Sequence, residues 1–186
     1  MRLVLASGSP RRRELLTQAG YAFAVRAADV DESLRAGEAP REYVERLARE
    51  KAMAVALVEA EAVVLGADTT VVVDGAVLGK PVDAADAERM LRLLSGRTHQ
   101  VMTGIAVARG EQVSSHVETT EVVFREIEEE ELRAYVRSGD AMDKAGAYGI
   151  QGHAARWIPR IEGDYFNVMG LPIAAVVGML GKMEAE

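Results

Sequence analysis

The run Leu3-Val4-Leu5-Ala6-Ser7-Gly8-Ser9-Pro10-Arg11-Arg12-Arg13 sets the fold. Its first four residues are apolar and have the length of a buried strand, and Ser7 to Pro10 bring N-cap and N1 chemistry directly after it. A strand therefore feeds straight into a helix, whose inner face carries Leu15, Leu16 and Ala19 and which ends at Gly20 before a second strand at 23–27. A long helix is expected over 40–59. Val44, Leu47, Ala48, Val55 and Val58 form its apolar stripe, Lys51 falls on that stripe, and Glu42, Glu45, Arg46 and Arg49 take the other side.

Further along, 62–67 reads as a continuous apolar strand with Asp68 at its end, and 70–73 with 76–78 as a hairpin closed by Asp74-Gly75 in a type I′ turn. Asp83 caps a helix holding Ala87, Met90, Leu91 and Leu94. Two β-rich segments at 100–109 and 112–124 suggest a long hairpin, and 128–137 is a helix with acids in its first turn. A strand at 157–161, a turn or short helix at 164–170 and an apolar helix at 172–182 complete an α/β pattern in which helices cover a twisted, mixed sheet.

The 186 residues include 49% hydrophobic and 27% charged side chains, which suits a folded chain and excludes disorder as the main state. There is no cysteine, so disulfides, thiolate metal sites and cysteine nucleophiles are excluded. With 22 Lys and Arg against 29 Asp and Glu, the net charge of −7 repels polyanions and acidic membranes, so neither a nucleic-acid polymer nor a membrane is an expected partner. The first apolar run is too short for a signal peptide, and the one at 171–180 is too short to span a bilayer, so a cytoplasmic location is expected. The polar break at 29–40 reads as a mobile loop.

Three basic residues at a helix start sit where the dipole already places positive charge, so Arg11, Arg12 and Arg13 call for something negative. A phosphate fits, with backbone N–H groups, the hydroxyls of Ser7 and Ser9 and the arginine forks all available; plain solvation is the alternative. An unpaired buried ammonium is costly, so Lys51 needs an anionic partner or an edge to snorkel past. Asp68, beside Thr69 and Thr70 at a strand end, is either a ligand-binding carboxylate or a turn residue. Glu32, Asp29 and Asp31 offer further oxygen ligands of the kind Mg²⁺ or Mn²⁺ prefers. Lys80 carries little signal of its own. In 143–152, three spaced glycines accompany Lys144, Tyr148 and Gln151, which is either a ligand loop or a tight structural one. His99, His116 and His153 show no metal spacing.

The blocks LASGSPRRRELL, YVERLAREKA, VLGADTTVVVDGAVLGKP, MLRLLSGRTHQVMTG, GDAMDKAGAYGIQG and IEGDYFNVMGLPI resemble, in order and over nearly the whole chain, the signatures of the Maf family. Only Gly163-Asp164-Tyr165 departs slightly from the commoner form, in which a small residue precedes the tyrosine. The resemblance implies an elongated α/β fold of the inosine-triphosphate-pyrophosphatase (HAM1) type, with 1–186 as one domain whose two lobes flank a nucleotide-binding cleft. It implies hydrolysis of nucleoside triphosphates to monophosphate and pyrophosphate with Mg²⁺ or Mn²⁺, and it is compatible with a homodimer. On the same resemblance Asp68 is the active-site acid, Lys51 and Lys80 assist catalysis, Ser7, Arg11, Arg12, Thr69 and Gln151 bind substrate, and Glu32 joins Asp68 at the metal. Asp68-Thr69, Arg11 and Gln151 resemble the subgroup acting on dTTP and UTP. Two alternatives stay open: a different base preference such as 7-methyl-GTP, and a nucleotide-binding regulator of cell division with little turnover.

Overall fold

A computed structural model describes residues 2–185. Its elements are β1 (Leu3–Leu5), α1 (Pro10–Gln18), β2 (Phe23–Val25), α2 (Pro40–Ala56), β3 (Val63–Val73), β4 (Ala76–Leu78), α3 (Ala84–Leu94), β5 (Thr98–Arg109), β6 (Gln112–Val123), α4 (Glu129–Arg137), β7 (Arg160–Glu162), α5 (Tyr165–Val168) and α6 (Ile173–Ala185). The sheet is mixed, as the sequence pattern suggests. Its strands run in the order β2-β1-β3-β5-β6-β7, with β4 added to β3. β1 pairs in parallel with both β2 and β3, whereas β4 and β7 pair antiparallel with β3 and β6. Asp74 and Gly75 both have positive φ, 50° and 76°, as a type I′ turn requires.

The chain forms two compact units, and neither is continuous in sequence. The first takes Met1–Thr69, Thr103–Glu118 and Gly170–Glu186; the second takes Thr70–Met102 and Thr119–Met169. β3, β5 and β6 each pass from one to the other.

The first unit buries large side chains, among them Leu5, Leu15, Leu16, Leu47 and Leu65, but one of its clusters is made of small ones: Ala6, Ala48, Ala52, Ala56, Ala62, Ala106 and Ala108 pack with Val4, Val55 and Val64. Two glycines explain how α2 lies on this surface. A Cβ on Gly66 would stand 2.3 Å from the carbonyl oxygen of Ala48, and one on Gly104 would stand 2.2 Å from that of Val44. The backbone of α2 therefore touches β3 and β5 with nothing between, a close approach that only glycine permits. The second unit is built differently. Phe124, Tyr135, Tyr148 and Trp157 fill it with Leu91, Leu94 and Leu132, their rings meeting edge to face.

One sequence expectation changes. Asp68 does not end a strand, because β3 runs through Asp68 and Thr69 to Val73 without the break that those polar residues suggested. The 29–39 segment has no regular structure, and side-chain bonds tie it to α2, among them Arg46 to the Ser33 carbonyl oxygen at 3.0 Å. No helix among the described residues is long and apolar enough to cross a membrane.

Candidate active site

Parallel pairing puts the site together. Leu5 is in register with Leu65, and Ala6 N–H donates to the Leu65 carbonyl at 2.8 Å. β1 then stops while β3 continues, so the turn at Ser7 to Ser9 lies beside the stretch of β3 that carries Asp68 and Thr69. The expectation of a ligand site at a strand's carboxyl end thus applies to β1, the parallel neighbour, and not to β3 itself.

Ser9 caps α1, its hydroxyl accepting from Arg12 N–H, and Pro10 occupies the first turn. The half-buried guanidinium of Arg12 donates from Nε to the Gly170 carbonyl at 2.8 Å, from Nη1 to the Ala67 carbonyl at 2.9 Å and to Ser7 Oγ at 3.2 Å, and from Nη2 to Thr69 Oγ1 at 2.9 Å. Guanidinium has five N–H donors, so at most one is left for a ligand. Arg12 is first of all a brace between the β1–α1 turn, β3 and Gly170. Desolvation lowers its pKa; Asp68 and Glu32 pull the other way, and Arg11 adds to the lowering. Thr69 Oγ1 also shares a hydrogen bond with the buried Thr103 Oγ1 at 2.9 Å. Neither Thr103 nor Gly170 was singled out from sequence.

Lys51 is buried on the apolar stripe of α2, and it has the anionic partners that position demanded. Its Nζ lies 2.7 Å from Asp68 Oδ1 and 2.7 Å from Glu32 Oε1. Close seating of α2 on Gly66 makes this reach possible. Removing that ammonium would leave the largely covered Asp68 carboxylate without its counter-charge, and the exposed Glu32 carboxylate shares the same ammonium, so the three groups form one electrostatic unit. Tyr43, two turns before Lys51 on the same helix face, donates its hydroxyl to the Glu32 carbonyl oxygen at 2.9 Å. Burial raises its pKa, and the fields of Asp68 and Glu32 raise it further, so the hydroxyl stays protonated and able to donate.

Ser7, Arg12, Glu32, Lys51, Asp68 and Thr69 are thus brought together within the first unit, and Arg11 lies close enough for its charge to act on Arg12. Lys80 and Gln151 belong to the second unit, where both are exposed. In the glycine-rich loop, Gly146 has φ +69° and a Cβ there would meet Val71 at 2.7 Å, which is the packing of a tight structural turn. Among the described residues no three His, Cys, Asp or Glu side chains come together as a metal cage. The donor set present is two carboxylates facing one ammonium. That suits a hard divalent cation which takes one or two carboxylates and completes its shell with phosphate oxygens and water.

A family model described as "Maf-like protein" matches residues 2–183. A dTTP/UTP pyrophosphatase of Vibrio cholerae is 56% identical over 182 residues, covering 97% of each chain. One of Koribacter versatilis is 54% identical over 180 residues, 97% of this chain and 93% of that one. A solved HAM1 protein from Coxiella burnetii is 19% identical with a TM-score of 0.45, over 67% of this chain and 73% of that one.

Proposed function

The chain belongs to the Maf-like family, and on that premise we propose that it hydrolyses dTTP and UTP to the nucleoside monophosphate and pyrophosphate. The observation that carries the reading is the buried Lys51 ammonium held 2.7 Å from both Asp68 and Glu32 beside the Arg12 brace. Oxygen and nitrogen groups of this kind serve phosphoryl transfer, where catalysis is mostly positioning and charge stabilisation.

Water attacks the α-phosphorus, the bond from that phosphorus to the bridging oxygen breaks, and pyrophosphate leaves. Asp68 accepts the proton of the attacking water. Lys51 fixes the direction of the Asp68 carboxylate and, with Arg11, opposes the charge that builds on the phosphate oxygens; a role for Lys80 rests on the family resemblance alone. Asp68 and Glu32 would hold a divalent cation, Mg²⁺ or Mn²⁺, which supplies charge neutralisation on the triphosphate and acidifies bound water. Ser7 and the one remaining Arg12 N–H serve the same phosphates. Thr69 is the base-selecting group of the first unit; a role for Gln151, whose amide complements the 2,4-dioxopyrimidine edge that thymine and uracil share, rests on the family resemblance alone. The proposed setting is cytoplasmic, and a homodimer is the assembly to test.

The test is pyrophosphate release from a panel of canonical and modified triphosphates, 7-methyl-GTP included. Saturable release with dTTP and UTP preferred, stopped by EDTA and reduced about 10³-fold or more by Asp68→Asn, is the expected result. Binding without turnover would favour the regulator, and preference for 7-methyl-GTP would reassign the base.

A further inference from the structure

Glu32 stands on a segment with almost no apolar anchorage. Residues 29–37 are exposed apart from Val30, which is half-buried, and the Glu32 side chain itself is 58% exposed. A carboxylate on such a stretch would lose considerable freedom on being fixed beside Lys51. Its backbone is nonetheless gripped at two successive carbonyls by two side chains of α2. Tyr43 Oη donates to the Glu32 carbonyl at 2.9 Å, and Arg46 Nη2 donates to the Ser33 carbonyl at 3.0 Å.

Arg46 is in turn held in place. It binds Glu38 in a fork, Nε to Oε1 at 2.5 Å and Nη2 to Oε2 at 2.8 Å, and reaches Glu50 Oε2 at 3.3 Å. Both partners of the fork are largely covered, with side-chain exposures of 13% and 9%. The guanidinium also lies 5.7 Å from the Tyr43 ring centre. Glu38 caps the arrangement by accepting the Arg35 N–H at 3.0 Å, while Asp31 Oδ1 accepts the Ser33 N–H at 2.9 Å. The segment is closed by polar bonds that converge on one arginine.

We infer that Arg46 and Tyr43 are positioning residues that hold the Glu32 backbone so that its carboxylate meets Lys51 and the substrate's cation. Neither touches the reacting atoms. The inference rests on the proposed pyrophosphatase reading only for its activity readout; the clamp itself is a statement about the segment.

Two measurements test it. Arg46→Met and Tyr43→Phe are compared with wild type for dTTP turnover as a function of Mg²⁺, each in the native background and in Glu32→Gln, at enzyme concentrations high enough to read residual rates. Arg46→Met should lower kcat/KM about 10-fold or more and raise the Mg²⁺ needed for half-maximal rate, and Tyr43→Phe should do the same more weakly. Both effects should shrink to less than about two-fold once Glu32 is gone, since a residue acting through another has nothing left to act on. Equal losses in both backgrounds, or none in either, overturn the inference. Amide hydrogen exchange over 29–39 should quicken in both variants while α2 itself keeps its protection; unchanged exchange overturns it as well. If the wild-type protein releases no pyrophosphate, the proposed function fails, and the exchange result alone decides the clamp.

Discussion

Both units bury large aliphatic side chains, but only the first seats a helix on its strands through alanine and glycine, and the difference bears on where chemistry can occur. In the second, large rings and leucines fill the core, and His99, Thr120 and Asn167 are buried in the same unit. In the first, alanine and glycine let α2 lie directly on β3 and β5. A helix that close delivers a lysine from its buried stripe to a strand carboxylate, which bulky packing would keep out of reach. Small residues here set a distance as well as filling volume.

The largest expected effect follows from removing that closeness. Gly66→Val places a side chain against the Ala48 carbonyl, where backbone must move. A loss of about 4 kcal/mol or more is expected from urea denaturation, with pyrophosphatase activity lost alongside because Lys51 is lifted from Asp68. Leu132→Ala, in the buried core of the second unit, should cost about 3 kcal/mol through its cavity. Activity per folded molecule should then stay within about two-fold; a proportional fall in kcat would break the contrast between the units.

A smaller effect depends on pH. His99 is buried with its Nδ1 unpartnered among the described residues, and burial lowers its pKa to about 4. The unfolded chain therefore takes up a proton in a range where the folded one does not. Stability from this source is complete above pH 6.5 and falls as pH drops toward 4, by about 2 kcal/mol at pH 5. Denaturation midpoints at pH 7 and pH 5 should show this, and His99→Gln should flatten the difference. The smallest effect is at the surface, where Arg92 bonds Glu88 and Glu129. Arg92→Ala should shift the denaturation midpoint the least of these variants, and the shift should shrink with salt.

Much of this was legible in the sequence, for identifiable reasons. Helix period alone put Lys51 on an apolar stripe, where a buried ammonium called for an anionic partner or an edge to snorkel past, and Asp68 and Glu32 are the partners found. Strand length and N-cap chemistry located the β1–α1 turn. Other features left a weaker trace. Asp68 and Thr69 read as a break because polar pairs usually end a strand, whereas here β3, flanked by β5, runs on through them to Val73 after β1 has stopped. Arg12 spends its donors on carbonyls of Ala67 and Gly170, and backbone acceptors have no side-chain signature. Arg46 read as part of a solvated face, yet Glu38 and the 29–39 segment cover it. Gly66 and Gly104 did carry a signal, since glycine inside a strand marks a close approach, and with it the seat of α2 could have been inferred.

The central claim is that the buried Lys51 with its two carboxylates belongs to the reaction and is more than a structural ion pair. Steady-state pyrophosphate release from dTTP by Lys51→Met, read beside its denaturation midpoint, tests this most directly. The account predicts a folded protein whose kcat/KM is at least about 10²-fold lower than wild type. Wild-type turnover by the folded variant would contradict it.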